Sequence, residues 1–176
     1  MTSYHGVWQV PDIIQAYELN DIRRYPPKGC VYPTGSIMDF LIKSSDHSIF
    51  TFIVKTAQMD VKLGELAFDS TVFICSDTNI RQTYQDEFFM RFDRNIARTV
   101  LNYNILNRKL NLESLLSRMS SKVDSKNPRS ELNVRNINGF VVINKTVTVL
   151  GEKKFSNGVV METDGLLILE NFVQNC

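Results

Sequence analysis

Apolar positions along this chain follow two different repeats. Between residues 35 and 104 they recur mostly at spacings of three and four, which is the repeat of a helix that buries one face. From Leu132 onward they alternate with polar positions, which is typical of strands that bury one face. Because most of the helical patterns precede the strand patterns instead of alternating with them, the chain is predicted to have an α+β fold.

The helical part is predicted to contain one buried strand. Helices are expected over residues 37–41, behind Thr34 and Ser36, which are both competent caps, and over residues 49–54. The run 71–75 is rich in β-branched and aromatic side chains, so it is predicted to be a strand. It ends at the short polar side chains of residues 76–79, which favour a turn.

The longest helix is expected over residues 86–104, and a shorter one, capped by Asn111, reaches residue 119. Residues 120–130 are polar and basic and contain Pro128, so they are predicted to form an exposed loop. The apolar stripe of the long helix consists of Phe88, Phe92, Ile96 and Val100, at steps of four.

Tight turns organise the strands of the last third. Asn138-Gly139 predicts a hairpin turn, Asn144-Lys145 predicts a second turn, and residues 164–165 predict a turn or bulge. The strands are predicted over residues 132–137, 140–143, 146–150, 159–161 and 166–169.

The ends of the chain are predicted to lie outside the domain. Residues 1–34 read as an N-terminal extension, because an amphipathic stretch at 12–24 is followed by the breaker Tyr-Pro-Pro-Lys-Gly. Such an arm can pack on its own domain or reach a neighbouring subunit. The domain is then expected to span residues 35–172, with a tail at 173–176.

No apolar run approaches the roughly 20 residues that a membrane-spanning helix needs. The N-terminus also lacks the basic start and the apolar stretch of a signal peptide. We therefore expect a soluble chain in the cytoplasm or in a virus particle, and we do not expect secretion.

Composition fits one globular domain with a core, since 43% of the 176 residues are apolar and 22% are charged. The three cysteines form no CxxC pair, which argues against a disulfide framework and against a zinc site. Cys75 lies within the predicted buried strand and is expected to pack as a small apolar residue.

Charge is concentrated in the middle of the chain, where residues 91–129 hold nine basic and three acidic side chains. Arg91, Arg94, Arg98 and Arg108 can contact the phosphates of a nucleic acid. We expect instead that they form a solvated helical face and a basic loop, because aromatic side chains that would stack on bases are not interleaved with them. Nucleic acid is therefore not the expected partner.

Catalytic and metal-binding patterns are not found. The two histidines, His5 and His47, are predicted to lie near the terminus and in a solvated loop. Asp86, Glu87 and Asp93 are placed at the start of the helix predicted over residues 86–104, where they complement its dipole, and this role is favoured over acid–base catalysis. No nucleotide-binding or zinc spacing appears, so neither catalysis nor a cofactor or metal is expected.

Two segments carry a family resemblance: STVFICSDTNI at residues 70–80 and SNGVVMETDGLLILENF at residues 156–172. They are similar to the two signature segments of the fasciclin domain family, and the resemblance extends over residues 35–172. It implies a wedge-shaped β-sandwich with helices packed on one end, and a non-enzymatic interaction role. The signature positions, which are expected to be structural, are Thr71, Asp77, Asn157, Gly158, Asp164 and Gly165.

The chain departs from the family at several places, including Cys75, where many members have proline, and Ile80, where many have phenylalanine. Many members have a Tyr-His pair where it has Tyr103-Asn104, and adhesive members have an Asp-Ile pair that takes part in integrin recognition where it has Glu152-Lys153. Members without secretion signals occur in large DNA viruses. The resemblance thus favours a cementing or scaffold subunit of an assembly, such as a minor capsid protein in a homo-oligomer or hetero-oligomer.

The alternatives are fasciclin-type adhesion at a cell surface, for which the sequon at Asn144 could carry a glycan, and nucleic-acid binding. Candidate partner-binding residues are Tyr4, Trp8, Tyr17, Arg23, Arg24 and Tyr25 in the arm, and Arg91, Arg94, Arg98 and Arg108 in the basic middle.

Overall fold

The computed structural model describes residues 32–106, 108–117, 120–126 and 131–168. Within these residues the chain forms helices, one 3-10 turn at Leu66–Phe68, and strands. The helices are α1 (Ile37–Lys43), α2 (Ser48–Thr56), α3 (Asp60–Gly64), α4 (Asp77–Ile80), α5 (Asp86–Met90), α6 (Arg94–Tyr103) and α7 (Leu112–Leu116). The strands are β1 (Ser70–Cys75), β2 (Ile105–Leu106), β3 (Ser120–Asp124), β4 (Glu131–Ile137), β5 (Phe140–Ile143), β6 (Val147–Phe155) and β7 (Gly158–Thr163).

The strands form one sheet in the order β2-β1-β7-β6-β5-β4-β3. Among the strands of the described residues, β1 and β7 are the one parallel pair, and the other neighbours are antiparallel. The first residues of β6 pair with β5, while the rest of β6 pairs with β7 beyond a bulge between Val149 and Gly151. Leu106 of β2 also forms a bridge with Ser125, which directly follows β3. The sheet therefore wraps around until its two ends approach each other.

Two cores result from this wrapping. The first lies between the helices and one face of β1 and β7, where Val72, Ile74 and Val160 meet helical aromatic residues such as Phe50 and Phe89. The second lies inside the wrapped sheet and is lined mainly by aliphatic residues. Its members include Phe73, Val134, Ile143, Val149, Met161 and Leu115 of α7. The predicted α+β sandwich with helices on one end is confirmed.

The prediction of one helix over residues 86–104 is wrong, because α5 ends at Met90 and α6 begins at Arg94. Asp93 separates them, since its carboxylate accepts a hydrogen bond of 2.8 Å from the Ile96 amide and so caps a new helix. Phe92 still reaches the first core. The apolar stripe was correct, since its four residues pack in or against the first core, although it spans two helices.

The expected loop at 120–130 is also wrong for its first five residues, which form β3 and pair with β4 from Ser120↔Arg135 to Asp124↔Glu131. The strand predicted at 166–169 is absent over 166–168, because β7 ends at Thr163. Residues 127–130 and 169 lie outside the described part of the chain.

The predicted turns are confirmed. Asn138 and Gly139 have φ values of 53° and 86°, and they connect β4 to β5 in a two-residue hairpin. Asn144 and Lys145 also have positive φ, and they connect β5 to β6. Of the two caps predicted before α1, Ser36 is the one that is formed, and the cap predicted from Asn111 is formed as well.

Candidate functional site

Asp77 fixes the start of a helix that lies far from it in sequence. Its carboxylate accepts hydrogen bonds from the Ser48 amide at 3.1 Å and from the Ile49 amide at 2.8 Å, so it caps α2. Burial raises the pKa of this carboxyl, and the two amide hydrogen bonds oppose that rise. The end of β1 is thereby joined to the helical layer.

Thr71 holds the segment that leads from β2 to α7. Its hydroxyl donates to the Arg108 carbonyl and accepts from the Leu110 amide, both at 2.9 Å. The side chain is fully buried within β1. One hydroxyl group therefore binds the backbone at both ends of residues 108–110 and holds this segment beside the sheet.

Asn157 connects the β6–β7 turn to the helices. Its Oδ1 accepts from the Ile37 amide at 3.0 Å, and its Nδ2 donates to the carbonyls of Leu63 and Glu65 at 2.7 and 2.9 Å. At the next residue, a Cβ on Gly158 would lie 2.3 Å from the Ser70 carbonyl oxygen. Glycine is required there because β1 and β7 approach so closely.

Asp164 joins the end of β7 to the start of β6. Its Oδ1 accepts from the Thr148 amide at 2.8 Å, and its own amide donates to the Thr148 carbonyl at 3.0 Å. A Cβ on the adjoining Gly165 would lie 3.4 Å from the Val147 side chain. The four polar signature side chains thus bond to the backbone of their own chain.

The position where many family members have histidine is held by a satisfied amide. Asn104 Nδ2 donates to the carbonyls of Val100 and Leu167 at 2.8 and 2.9 Å, and its Oδ1 accepts from the Leu167 amide at 3.3 Å. The neighbouring Tyr103 hydroxyl accepts from Asn144 Nδ2 at 2.8 Å. Burial raises the pKa of Tyr103.

Glu152 and Lys153, where the resemblance leads us to expect the Asp-Ile pair of adhesive members, also make internal contacts. Glu152 Oε2 accepts from the Leu112 amide at 2.7 Å, at the start of α7. Lys153 Nζ lies 5.0 Å from the centre of the Phe40 ring, within range of a cation–π contact.

The candidate basic residues lie on different elements. Arg98 Nε donates to the Ala57 carbonyl at 2.7 Å, and Arg94 donates to Gln58 Oε1 at 3.3 Å, so both extend from α6 to the end of α2. Arg91 and Arg108 are exposed, and Arg108 follows β2. Their role in binding a partner stays a prediction. Tyr4, Trp8, Tyr17, Arg23, Arg24 and Tyr25 lie outside the described residues.

The prediction that His47 is a solvated loop residue is wrong, because its side chain is buried. Nδ1 lies 2.6 Å from Ser44 Oγ, and Nε2 lies 3.0 Å from Glu162 Oε1 of β7. The ring packs against Phe40 at a centroid distance of 5.3 Å. Its partner Glu162 is 115 residues away in sequence, so no local pattern indicated the contact.

Cys75 is buried as predicted, and desolvation raises its thiol pKa to about 12. Among the residues that the structure describes, no group of three or more His, Cys, Asp or Glu side chains is placed to hold a metal ion. In that same part of the chain, no helix combines the length and the apolar character that crossing a bilayer requires.

A half-open cleft lies between the segment after β2 and the β6–β7 hairpin, with a volume of about 350 Å³. Sequence reasoning missed it because its two walls are more than forty residues apart along the chain. Its lining residues are Lys109, Leu110, Asn111, Lys154, Phe155, Gly158 and Val159.

An apolar surface lies on the other side of the strands that enclose the second core. Ile137 and Phe140 are direct partners across the β4–β5 hairpin, and they are 42% and 60% exposed. Leu150 of β6 is 58% exposed, and the half-buried Val142 lies on the same side as Phe140. We call these four residues the outer face. The alternating pattern predicted the strands but could not indicate which apolar residues would face solvent.

Comparisons with known proteins agree with this architecture. The chain is similar in structure to a FAS1 domain pair from the insect cell adhesion molecule Fasciclin I, with a TM-score of 0.64 at 16% sequence identity. The match covers 79% of this chain and 52% of that one, so the chain spans about half the length of the domain pair. At this identity, the likeness shows the fold alone.

A search of curated protein sequences gives no match. The family model of the Fasciclin domain matches residues 45–169, which is well over half of the chain. The matched region contains β1 with its polar turn, the cleft, and the β6–β7 hairpin. The chain therefore belongs to the fasciclin domain family.

Proposed function

We propose that the chain is a non-enzymatic protein–protein interaction module that acts as a cementing or scaffold subunit of a larger assembly. Family membership supports the general role, since fasciclin domains are adhesion and interaction modules. The observation that carries the proposal for this chain is the outer face. We propose that a protein subunit of the assembly binds to the outer face and covers it.

The outer face and its surroundings contain residue types that are common in protein interfaces. Phe140 lies next to Ile137, and the exposed Arg135 is the direct partner of Val142. Aromatic residues and arginine are enriched at the centres of interfaces, where they contribute much of the binding free energy. Exposing such a cluster to water is unfavourable, so burial against a partner would stabilise the complex.

The N-terminal arm is the second proposed contact, reaching neighbouring subunits through residues 1–34. Tyr32 and Pro33, near the end of this arm, pack on the domain and so attach the arm to it at a defined place. The Tyr32 hydroxyl donates to the Asp60 carboxylate. A Cβ on Gly64 would lie 3.3 Å from Pro33 and 3.4 Å from Tyr32, so both residues pack closely on α3. The arm is therefore proposed to leave the domain at α3.

The specific assembly that we propose is a virus particle, with the chain as a minor capsid component. Only the distribution of the family supports this specific form. The outer face and the arm would serve any assembly of protein subunits equally well.

Adhesion at a cell surface is the second candidate, favoured by the likeness to the cell adhesion molecule Fasciclin I. It predicts a glycan on Asn144 in native material. A glycan there would replace a hydrogen of the Nδ2 group that donates to the Tyr103 hydroxyl. An intact mass without a glycan, together with an unprocessed N-terminus, would favour the scaffold function over adhesion.

The test places a photo-crosslinking phenylalanine analogue at position 140 of the full-length chain in the cells that produce it. We expect crosslinks to one or a few defined protein subunits from position 140. The matched control is Leu66, which is 75% exposed at the helical end and lies outside the outer face. Crosslinking that is equal from positions 66 and 140, or absent from position 140, would contradict the proposal.

Two changes to the chain complete the test. Phe140→Asp should abolish co-purification with the crosslinked subunit while leaving the domain folded, because a charge cannot be buried in an apolar interface without a partner. Deleting residues 1–31, and keeping the anchoring Tyr32, should weaken the same association. Association that survives both changes would eliminate the outer face and the arm as contacts.

A further inference from the structure

The walls of the cleft are held in place by signature residues. Thr71 binds the backbone on both sides of Lys109, and Asn111 Oδ1 accepts from the Ser114 amide at 2.7 Å. On the opposite wall, Asn157 fixes the turn between Lys154 and Val159 through its three hydrogen bonds. Both walls are therefore built into the fold, and a ligand would meet a site that is already formed.

The charged groups that line the cleft are both lysines. Lys109 Nζ lies 3.1 Å from Asp69 Oδ1, but both side chains are more than half exposed, so this ion pair contributes little free energy. A ligand carboxylate can replace Asp69 at little cost. Glu152 lies on the same side of β6 as Lys154, but its carboxylate already accepts from the Leu112 amide. Lys154 is therefore the second cation that a ligand would meet.

Part of the cleft lining is apolar. Leu110 and Val159 belong to the second core and also line the cleft. A ligand that combined a negative charge with an adjoining apolar group would satisfy both parts of this lining. A volume of about 350 Å³ is at the lower end of the range of about 300–1,000 Å³ for ligand sites, and it suits one or two side chains.

We propose that this cleft binds an acidic side chain, together with the apolar side chain beside it, from a peptide segment of a protein partner. This inference rests on the proposed interaction function, because it takes the ligand from a partner protein. The carboxylate contacts Lys109 and Lys154, and the apolar side chain packs on Leu110 and Val159. The cleft is then a second recognition site, separate from the outer face.

The test is a titration of the isotope-labelled full-length chain, followed by amide NMR, with the blocked peptides acetyl-Leu-Glu-Leu-amide and acetyl-Leu-Gln-Leu-amide. We expect saturable shifts of the Leu110 and Val159 amides with the Glu peptide, and at least tenfold weaker binding of the Gln peptide. Hexanoate is a third probe, and binding of hexanoate without binding of the Glu peptide would overturn a peptide ligand. Equal Kd values for the Glu and Gln peptides would show that the cleft does not recognise the carboxylate. If neither peptide shifts the Leu110 and Val159 amides, the cleft is not a binding site.

Variants separate this site from the outer face. Lys109→Met and Lys154→Met should each raise the Kd of the Glu peptide about five- to tenfold, because each removes one charge-assisted contact. Lys62→Met, at an exposed lysine of α3, is the matched control and should leave the Kd unchanged. Phe140→Asp should also leave it unchanged, so the cleft and the outer face can fail independently. An unchanged Kd in both cleft variants would overturn the assigned contacts.

Discussion

The helical end of the molecule and the three-stranded layer β4–β6 use their side chains in opposite ways. At the helical end, large aromatic residues such as Phe89 are fully buried, and buried polar groups such as Asp77 and Asn157 bond to backbone. In the strand layer, Phe140 and Leu150 project from the surface, and the buried residues are mainly aliphatic.

This difference separates residues that hold the fold from residues that are free to bind. Buried polar side chains with several hydrogen bonds cannot be released for a ligand without a large cost. When a partner covers exposed apolar side chains, the contacts that stabilise the domain are not broken. Within the described residues, the polar signature side chains therefore stabilise the fold. We expect partner proteins to bind at the outer face and in the cleft.

The strongest test of this comparison uses two phenylalanines. Phe89→Ala should lower the free energy of unfolding by about 3–5 kcal/mol, because it leaves a cavity among Phe88 and Phe92. Phe140→Ala should change it by less than about 1 kcal/mol, since Phe140 is mostly exposed. Urea denaturation of both variants measures the difference. Similar losses in the two variants would show that the outer face is part of the fold.

The next test removes one polar anchor. Asn157→Ala should lower the free energy of unfolding by about 3 kcal/mol, because the Ile37 amide and the Leu63 and Glu65 carbonyls all lose their partner. Asn133→Ala, at an exposed asparagine of β4, should cost less than about 0.5 kcal/mol. Thermal unfolding at one scan rate compares the two. A cost for Asn157→Ala no greater than for Asn133→Ala would contradict the role of Asn157 as an anchor.

The smallest predicted effect concerns pH and Cys75. Its thiol pKa is raised to about 12 in the folded chain from a reference value of 9.0, so the folded state keeps a proton that the unfolded state loses between these values. The thiol therefore stabilises the fold below pH 9, and this contribution decreases as pH rises toward 12. At pH 10.5 the wild type should have lost about 2 kcal/mol relative to Cys75→Ala.

The measurement is urea denaturation of both proteins between pH 8 and 10.5. The difference between them cancels the ionisation of the other side chains. A difference that does not change with pH would show that Cys75 ionises as easily in the folded chain as in the unfolded one.

The parts of the fold that sequence predicted are those that depend on local chemistry. Asn138-Gly139 adopts positive φ wherever a hairpin needs it, and Asn111 caps the helix that directly follows it. The strand β3 was missed because its sequence, SSKVD, is polar, and its strand conformation comes from pairing with β4. The helix break at Asp93 had a local signal, since aspartate is a preferred N-cap, but the regular apolar stripe concealed it.

The candidate sites depend on contacts between distant segments, so sequence could not locate them. Nothing in the sequence places Lys109 beside Lys154 across the cleft. The resemblance did indicate that Thr71 and Asn157 would be structural. It could not show that these residues position the walls of a cleft, because their bonding partners are known only from the folded structure.

The parallel pairing of β1 with β7 has a consequence for how this chain acquires its structure. Gly158 pairs with Ser70, and Asn157 binds the amide of Ile37, which lies 120 residues earlier. Contacts between such distant residues slow folding, because a long loop must close before they form. During synthesis, the helices made first lack the strand that completes their core until the β6–β7 hairpin has emerged from the ribosome. We therefore expect the nascent domain to stay incompletely folded, and to depend on protection from aggregation, until nearly its whole length has been made.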